Sequence, residues 1–262
     1  MEPIEEIISE PEILIVEDET IIAIDIETRL SSLGYKVIGS AKSGEEVLSF
    51  VDDKLPDLIL MDINLGGKLD GIETSAKIRE KYDIPIIYLT AYADEKTLSR
   101  AKLTQPYGYI IKPFDNLAVR STIETALYKY NAEKKIKEDE KWLNIILNSI
   151  SDAIIATDSK GKILFINPVA ESLTGWAKKD ALNKDLNKVY NISVYDNPAA
   201  RSIIEKDQKD EMDNSAKYSL LTSMDGTKTI IKDSATTIKN DNNIIIGVVL
   251  VFREVKKLAG DS

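Results

Sequence analysis

Apolar residues recur along the chain in two rhythms. From Ile13 to about Lys129, short apolar runs alternate with amphipathic segments, the pattern of strands and helices that alternate in a parallel sheet. The runs Ile13–Glu17, Lys36–Ser40, Leu58–Asp62, Ile86–Thr90 and Tyr109–Lys112 predict strands. Between them, Thr20–Leu33 predicts a helix stopped by Gly34. Ser43–Val51 opens on a capping serine with Glu46 one turn on, and Asp70–Lys81 ends before a turn at Pro85. Five strands with interleaved helices make an α/β doubly wound, five-stranded parallel sheet.

After Pro113 one helical pattern runs from Asn116 to about Ile150 without Gly or Pro. In its first part Ile123, Ala126, Leu127 and Tyr130 form a face that can pack on a sheet or a partner. In its second part Ala132, Ile136, Asp139, Leu143, Ile146 and Ile150 are spaced as in a coiled-coil seam, amid dense charge of both signs. A solvated linker and a dimer-forming helix both fit this pattern, and Asp139 weakens the seam. From Ser151 the rhythm changes to strands joined by polar turns. Asp152–Thr157 and Lys162–Asn167 flank Asp158 to Gly161, Tyr218–Met224 and Thr227–Thr237 flank Asp225-Gly226, and Ile244–Phe252 closes the set. Pro168 to about Met212 reads as short helices and loops, and Arg253–Leu258 as the possible start of another helix.

Composition narrows the chemistry. The 262 residues suit two ordinary domains, and the net charge of −10 argues against unassisted nucleic-acid binding, which needs a clustered basic footprint. The longest apolar stretch is too short to cross a bilayer and no basic leader precedes it, so a cytoplasmic protein is expected. With no cysteine there is no disulfide or thiol chemistry. With no histidine there is no imidazole metal ligand, no Ser/His/Asp triad and no phosphohistidine on this chain.

Glu17, Asp18, Asp62, Thr90 and Lys112 each stand at or just past the C-terminal end of an expected strand. In an open parallel sheet those ends converge on the ligand crevice, so three carboxylates and a lysine should share one pocket. Such a cluster repels itself unless a cation joins it, and an all-oxygen site suits Mg²⁺, which leaves a carboxylate available as nucleophile. At these positions the chain resembles the response-regulator receiver family. The resemblance rests on Ile13 to Glu19, Asp57 to Leu65, Asp70 to Glu73, Pro85 to Ala91 and Gly108 to Phe114. It implies a flavodoxin-like fold, Asp62 as phosphoacceptor, and Mg²⁺ held by Glu17, Asp18, Asp62 and the main-chain carbonyl of Asn64. It further implies that Lys112 pairs with a phosphoryl oxygen, that Thr90 moves to bind another, that Tyr109 switches rotamer with it, and that the Lys112–Pro113 bond is cis. The donor would be a histidine kinase or phosphotransfer protein, and the chain would be no enzyme in its own right. The loop Asn64 to Asp70 is slightly longer than in many receivers.

Leu147 to Asp158, Gly161 to Glu171 and Thr174-Gly175-Trp176 resemble the opening of a PAS domain, and Asp225 to Thr227 with Ile246 to Val255 resemble its last strands. The usual exit tripeptide appears as Glu254-Val255-Lys256. This resemblance implies an α+β domain with an antiparallel sheet. Its ligand is unknown: a small organic molecule, a non-covalent flavin or none at all, since no cysteine can form a flavin adduct and no histidine can ligate haem. The expected division is a tail over 1–11, a receiver over 12–130, a helical signalling linker over 131–150 and the PAS domain over 151–258. The expected output is contact with other signalling proteins, with a homodimer through linker and PAS domain as one form. Alternatives are the front of a longer hybrid kinase, a phosphate-independent sensor, and a phosphohydrolase of the haloacid dehalogenase type. The last would need its nucleophile on the first strand.

Overall fold

The computed structural model describes residues 10–91, 95–194 and 217–255. They fall into two compact units, 1–138 and 139–262.

In the first unit the described strands are β1 Glu12–Val16, β2 Lys36–Ala41, β3 Leu58–Asp62, β4 Ile86–Thr90 and β5 Gly108–Ile111, all parallel in the order β2-β1-β3-β4-β5. Helices α1 Thr20–Ser32, α2 Gly44–Asp53, α3 Gly71–Lys81, α4 Glu95–Leu103 and α5 Asn116–Ser149 alternate with them. The central strands are apolar throughout because both faces are covered. Leu14, Val16, Ile59, Met61 and Tyr88 pack towards α2 and α3, while Ile13, Ile15, Leu58, Leu60, Ile87 and Leu89 pack towards α1 and α5. The expected doubly wound sheet is therefore present, with strand boundaries differing by a residue or so. Lys112 does not close β5 but follows it. The sequence pattern gave helix α4 no range of its own; it buries Ala101 alone and so carries almost no apolar stripe.

Local chemistry fixes the helix starts that frame the site. Asp70 accepts from the Glu73 N–H at 2.8 Å while Glu73 accepts from the Asp70 N–H at 3.2 Å, a reciprocal cap on α3. Ser43 caps α2 by accepting from the Glu46 N–H. In α5, Val119, Ile123 and Ala126 are buried on the sheet. The helix then stays tied to the first unit: Tyr107 donates to Glu133, Tyr130 donates to the Asp83 carbonyl and Lys137 pairs with Asp83. Ile136, Leu143 and Ile146, on the seam read from the sequence, are 60%, 58% and 39% exposed in the single chain.

In the second unit β6 Ala153–Asp158, β7 Ile163–Ile166, β8 Ile192–Val194, β9 Lys217–Thr222, β10 Lys228–Lys239 and β11 Ile245–Glu254 form an antiparallel sheet in the order β7-β6-β11-β10-β9-β8. Short helices α6 Pro168–Thr174, α7 Lys178–Ala181 and α8 Leu186–Val189 follow β7. Their apolar residues close a core with Ile155, Ile166, Leu221, Ile231 and Phe252. Asn167 is wholly buried and makes four side-chain hydrogen bonds, accepting from Ile154 and Ala170 and donating to the carbonyls of Asp152 and Leu147. Two expectations change. β8 was not foreseen, and Arg253 and Glu254 belong to β11 rather than to a new helix. Lys256 to Leu258, and the stretch 195–216 of the expected loops and helices, lie outside the described residues.

Candidate functional site

The strand order places its switch point between β1 and β3, and the crevice opens at their C-terminal ends. Asp62 closes β3 and is 6% exposed; Glu17 follows β1 and is 1% exposed. The Lys112 ammonium, just past β5, donates to both carboxylates, at 2.5 Å to Asp62 Oδ2 and 2.6 Å to Glu17 Oε2. Carboxylate oxygens of Glu17, Asp18 and Asp62 all lie within 4.8 Å of one another. Thr90, 3% exposed, ends β4 beside them: its neighbour Leu89 pairs with Asp62 in the register, and its carbonyl accepts from the Lys112 N–H at 2.7 Å. The Lys112–Pro113 bond is cis.

The pocket is electrostatically unbalanced without a cation. Burial, reinforced by the charge of Asp62 and opposed by the hydrogen bond from Lys112, leaves the Glu17 carboxyl pushed up to about 7. Burial lowers the Lys112 ammonium, but its hydrogen bonds to Asp62 and Glu17 outweigh this and its pKa lies above the usual lysine range. Glu17 Oε1 is buried with no hydrogen-bond partner. An orphaned carboxylate oxygen beside two further carboxylates fits an oxygen-ligated divalent cation.

The backbone holds these groups in place. Asp62 Oδ1 accepts from the Asn64 N–H at 2.9 Å, and Asp18 Oδ2 accepts from the Gly66 N–H at 3.1 Å. Tyr109 is not in the acidic pocket. It lies on the sheet face with Tyr88, ring centroids 5.9 Å apart, and its hydroxyl is buried without a partner.

Two supports were given no role in the sequence reading. Gly71, the first residue of α3, sits so close to the end of β3 that a Cβ on it would lie 1.9 Å from the Asp62 carbonyl oxygen. A glycine at the first helical position, directly after a strong cap, was the available signal. Arg100 of α4 pairs with the capping Asp70 at 2.6 Å, which joins α4 to the loop after β3.

Comparison with known proteins divides the chain in the same way. The model of the response regulator receiver domain matches residues 13–124, and that of the PAS fold matches residues 143–255. Over 118 residues the chain is 32% identical to the transcriptional regulatory protein PdtaR of Mycobacterium tuberculosis, which covers 45% of this chain and 57% of the relative. It is 36% identical to the phyllosphere-induced regulator PhyR of Methylorubrum extorquens, again over 118 residues, covering 45% of this chain and 43% of that one. The chain thus spans about half the length of the curated relatives it matches. Among solved structures, the signal receiver domain of a modulated diguanylate cyclase from Desulfovibrio desulfuricans is 40% identical, with 48% of this chain and 99% of that one covered and a TM-score of 0.46. No helix among the described residues is long and apolar enough to cross a membrane.

Proposed function

From a chain whose residues 13–124 are a response regulator receiver domain and whose residues 143–255 are a PAS fold, we infer a phosphorelay protein that takes a phosphoryl group on Asp62 and passes the change on by protein contact. The observation that carries this reading is the cluster at the strand ends, where one lysine bridges two buried carboxylates.

In the proposed reaction an Asp62 oxygen bonds to phosphorus. The P–N bond of a partner's phosphohistidine, or the P–O bond of a small acyl phosphate, breaks, and the imidazole or carboxylate leaves with the bonding pair. Lys112 then shares its charge with a phosphoryl oxygen, and Thr90 donates its hydroxyl to another. Glu17, Asp18, Asp62 and the main-chain carbonyl of Asn64 are the groups that would hold Mg²⁺, which when bound offsets phosphoryl charge. Tyr109 is read as the ring that moves with Thr90; its hydroxyl has no hydrogen bond to give up when it does.

The signal leaves along the 34-residue helix α5. Exposed Ile136, Leu143 and Ile146 give that helix a seam for a second copy, with Ile150 just past its end. In this reading 12–130 receives, 131–150 transmits and 151–258 is the PAS domain. The donor is a histidine kinase or phosphotransfer protein, and the recipients are other signalling proteins. The test is to phosphorylate the chain with acetyl phosphate and trap the acyl phosphate with borohydride. Conversion of Asp62 to homoserine is expected, and conversion at another carboxylate would overturn the assignment.

A further inference from the structure

Of the three clustered carboxylates Asp18 is the exposed one, whereas Glu17 and Asp62 are buried. An exposed carboxylate turns freely unless something holds it, and that freedom is lost when it ligates a metal. Among the described residues its hydrogen-bond partner is the Gly66 N–H, 3.1 Å from Oδ2. Gly66 belongs to the segment that also holds the phosphoacceptor. Two residues earlier the Asn64 N–H donates to Asp62 Oδ1 at 2.9 Å, and between them Leu65 packs on the core that lies towards α2 and α3. The Gly71 N–H donates to the Ile63 carbonyl at 3.0 Å, which closes the loop at its base. Gly67, at a φ of +140°, takes the chain past the start of α2: a Cβ there would lie 3.4 Å from Glu45 Oε2 and 3.7 Å from Ser43 Cβ. One braced strap thus carries two amides, each fixing one oxygen of a different carboxylate. The Asn64 carbonyl, read above as a further metal ligand, belongs to the same strap.

We propose that Gly66 is a positioning and selectivity residue of the metal site: its N–H keeps Asp18 Oδ2, so that Asp18 offers a divalent cation Oδ1 alone. Hydrogen bonds of this outer kind orient a ligating carboxylate and are worth about 10–100-fold in metal affinity. They also bear on which metal is taken. Mg²⁺ demands near-octahedral geometry and keeps several waters, so single oxygens suit it, whereas Ca²⁺ gathers about six to eight oxygens and accepts both from one carboxylate. An Asp18 oxygen committed to an amide therefore disfavours Ca²⁺ and leaves the Mg²⁺ arrangement intact. The inference rests on the receiver reading and adds to it the residue that selects the cation.

The test titrates the full chain with Mg²⁺ and with Ca²⁺ by calorimetry, in the wild type and in Gly66→Pro, which lacks the N–H. The variant should bind Mg²⁺ at least about tenfold more weakly and Ca²⁺ with a smaller loss, so that the ratio of the two affinities falls. Equal losses for both cations would mean a loop merely disturbed, and unchanged or tighter Mg²⁺ binding would mean that the amide competes with the metal. Either result overturns the proposal. If Gly66→Pro does not fold, the wild type decides. Its Gly66 amide proton should resonate downfield of its position in Asp18→Ala, and should stay protected from exchange when Mg²⁺ is added. An amide that Mg²⁺ releases, or one indifferent to Asp18→Ala, refutes the assignment. A wild type that binds neither cation overturns the proposal and, where borohydride also fails to label Asp62, the receiver reading with it. Labelled Asp62 beside an unaltered cation ratio sinks this inference alone.

Discussion

Lys112 Nζ lies 2.5 Å from Asp62 Oδ2, so the residue read as phosphoacceptor is held by the same ammonium that neutralises Glu17 beside it. One ammonium is thus shared by two buried carboxylates, and its removal leaves both without a cationic partner.

Lys112→Met is therefore expected to destabilise the receiver in the presence of a chelator by about 3 kcal/mol, the cost of breaking a buried pair on one side. Adding Mg²⁺ should recover more stability in the variant than in the wild type, because the metal no longer competes with an ammonium for the same oxygens. Thermal unfolding with and without Mg²⁺ measures this, and an equal gain in both proteins would show that lysine and metal do not share the site.

Gly71→Ala should destabilise by at least about 3 kcal/mol despite alanine's better helix propensity, because the new Cβ meets the backbone of Asp62, which cannot rotate away. The same displacement moves Asp62, so labelling by acetyl phosphate should slow in parallel. Urea midpoints together with labelling rates check both effects.

Asn167→Ala removes two acceptor and two donor bonds at once, including the bond to Leu147 in the last turns of α5. A loss of about 3 kcal/mol from the second unit is expected. Hydrogen exchange should show earlier opening at Ile154 and Ala170, with the receiver sheet unchanged.

Asp225 supplies an acid-side prediction. Its carboxylate accepts from the Ser223 hydroxyl and the Thr227 N–H, and these bonds hold its pKa down to about 2. A folded-state pKa below the unfolded value gives stability that is present above the ordinary aspartate value of 3.8 and lost as pH falls towards 2. Asp225→Asn should thus be less stable than the wild type at pH 7, by a gap that closes as pH falls below that window's upper edge. Melting curves across pH test the sign, and a gap that widens in acid would refute it.

The sheet at the centre of the receiver was legible because β1, β3 and β4 are buried on both faces and print continuous apolar runs. The acidic residues were legible because they end those runs. Helix α4 was not, since a helix that buries only Ala101 shows no stripe. Three-residue β8 is shorter than any alternation can reveal. Gly71 was visible as part of a motif, but its reason, the closeness of the Asp62 carbonyl, needs the fold.

The most direct test of the central claim is the intact mass of the wild-type chain and of Asp62→Ala after incubation with acetyl phosphate, each with Mg²⁺ and with chelator. One phosphoryl group is expected on the wild type with Mg²⁺, and none on the variant or in chelator. A wild type that gains no mass, or a variant that gains the same mass, would contradict the account.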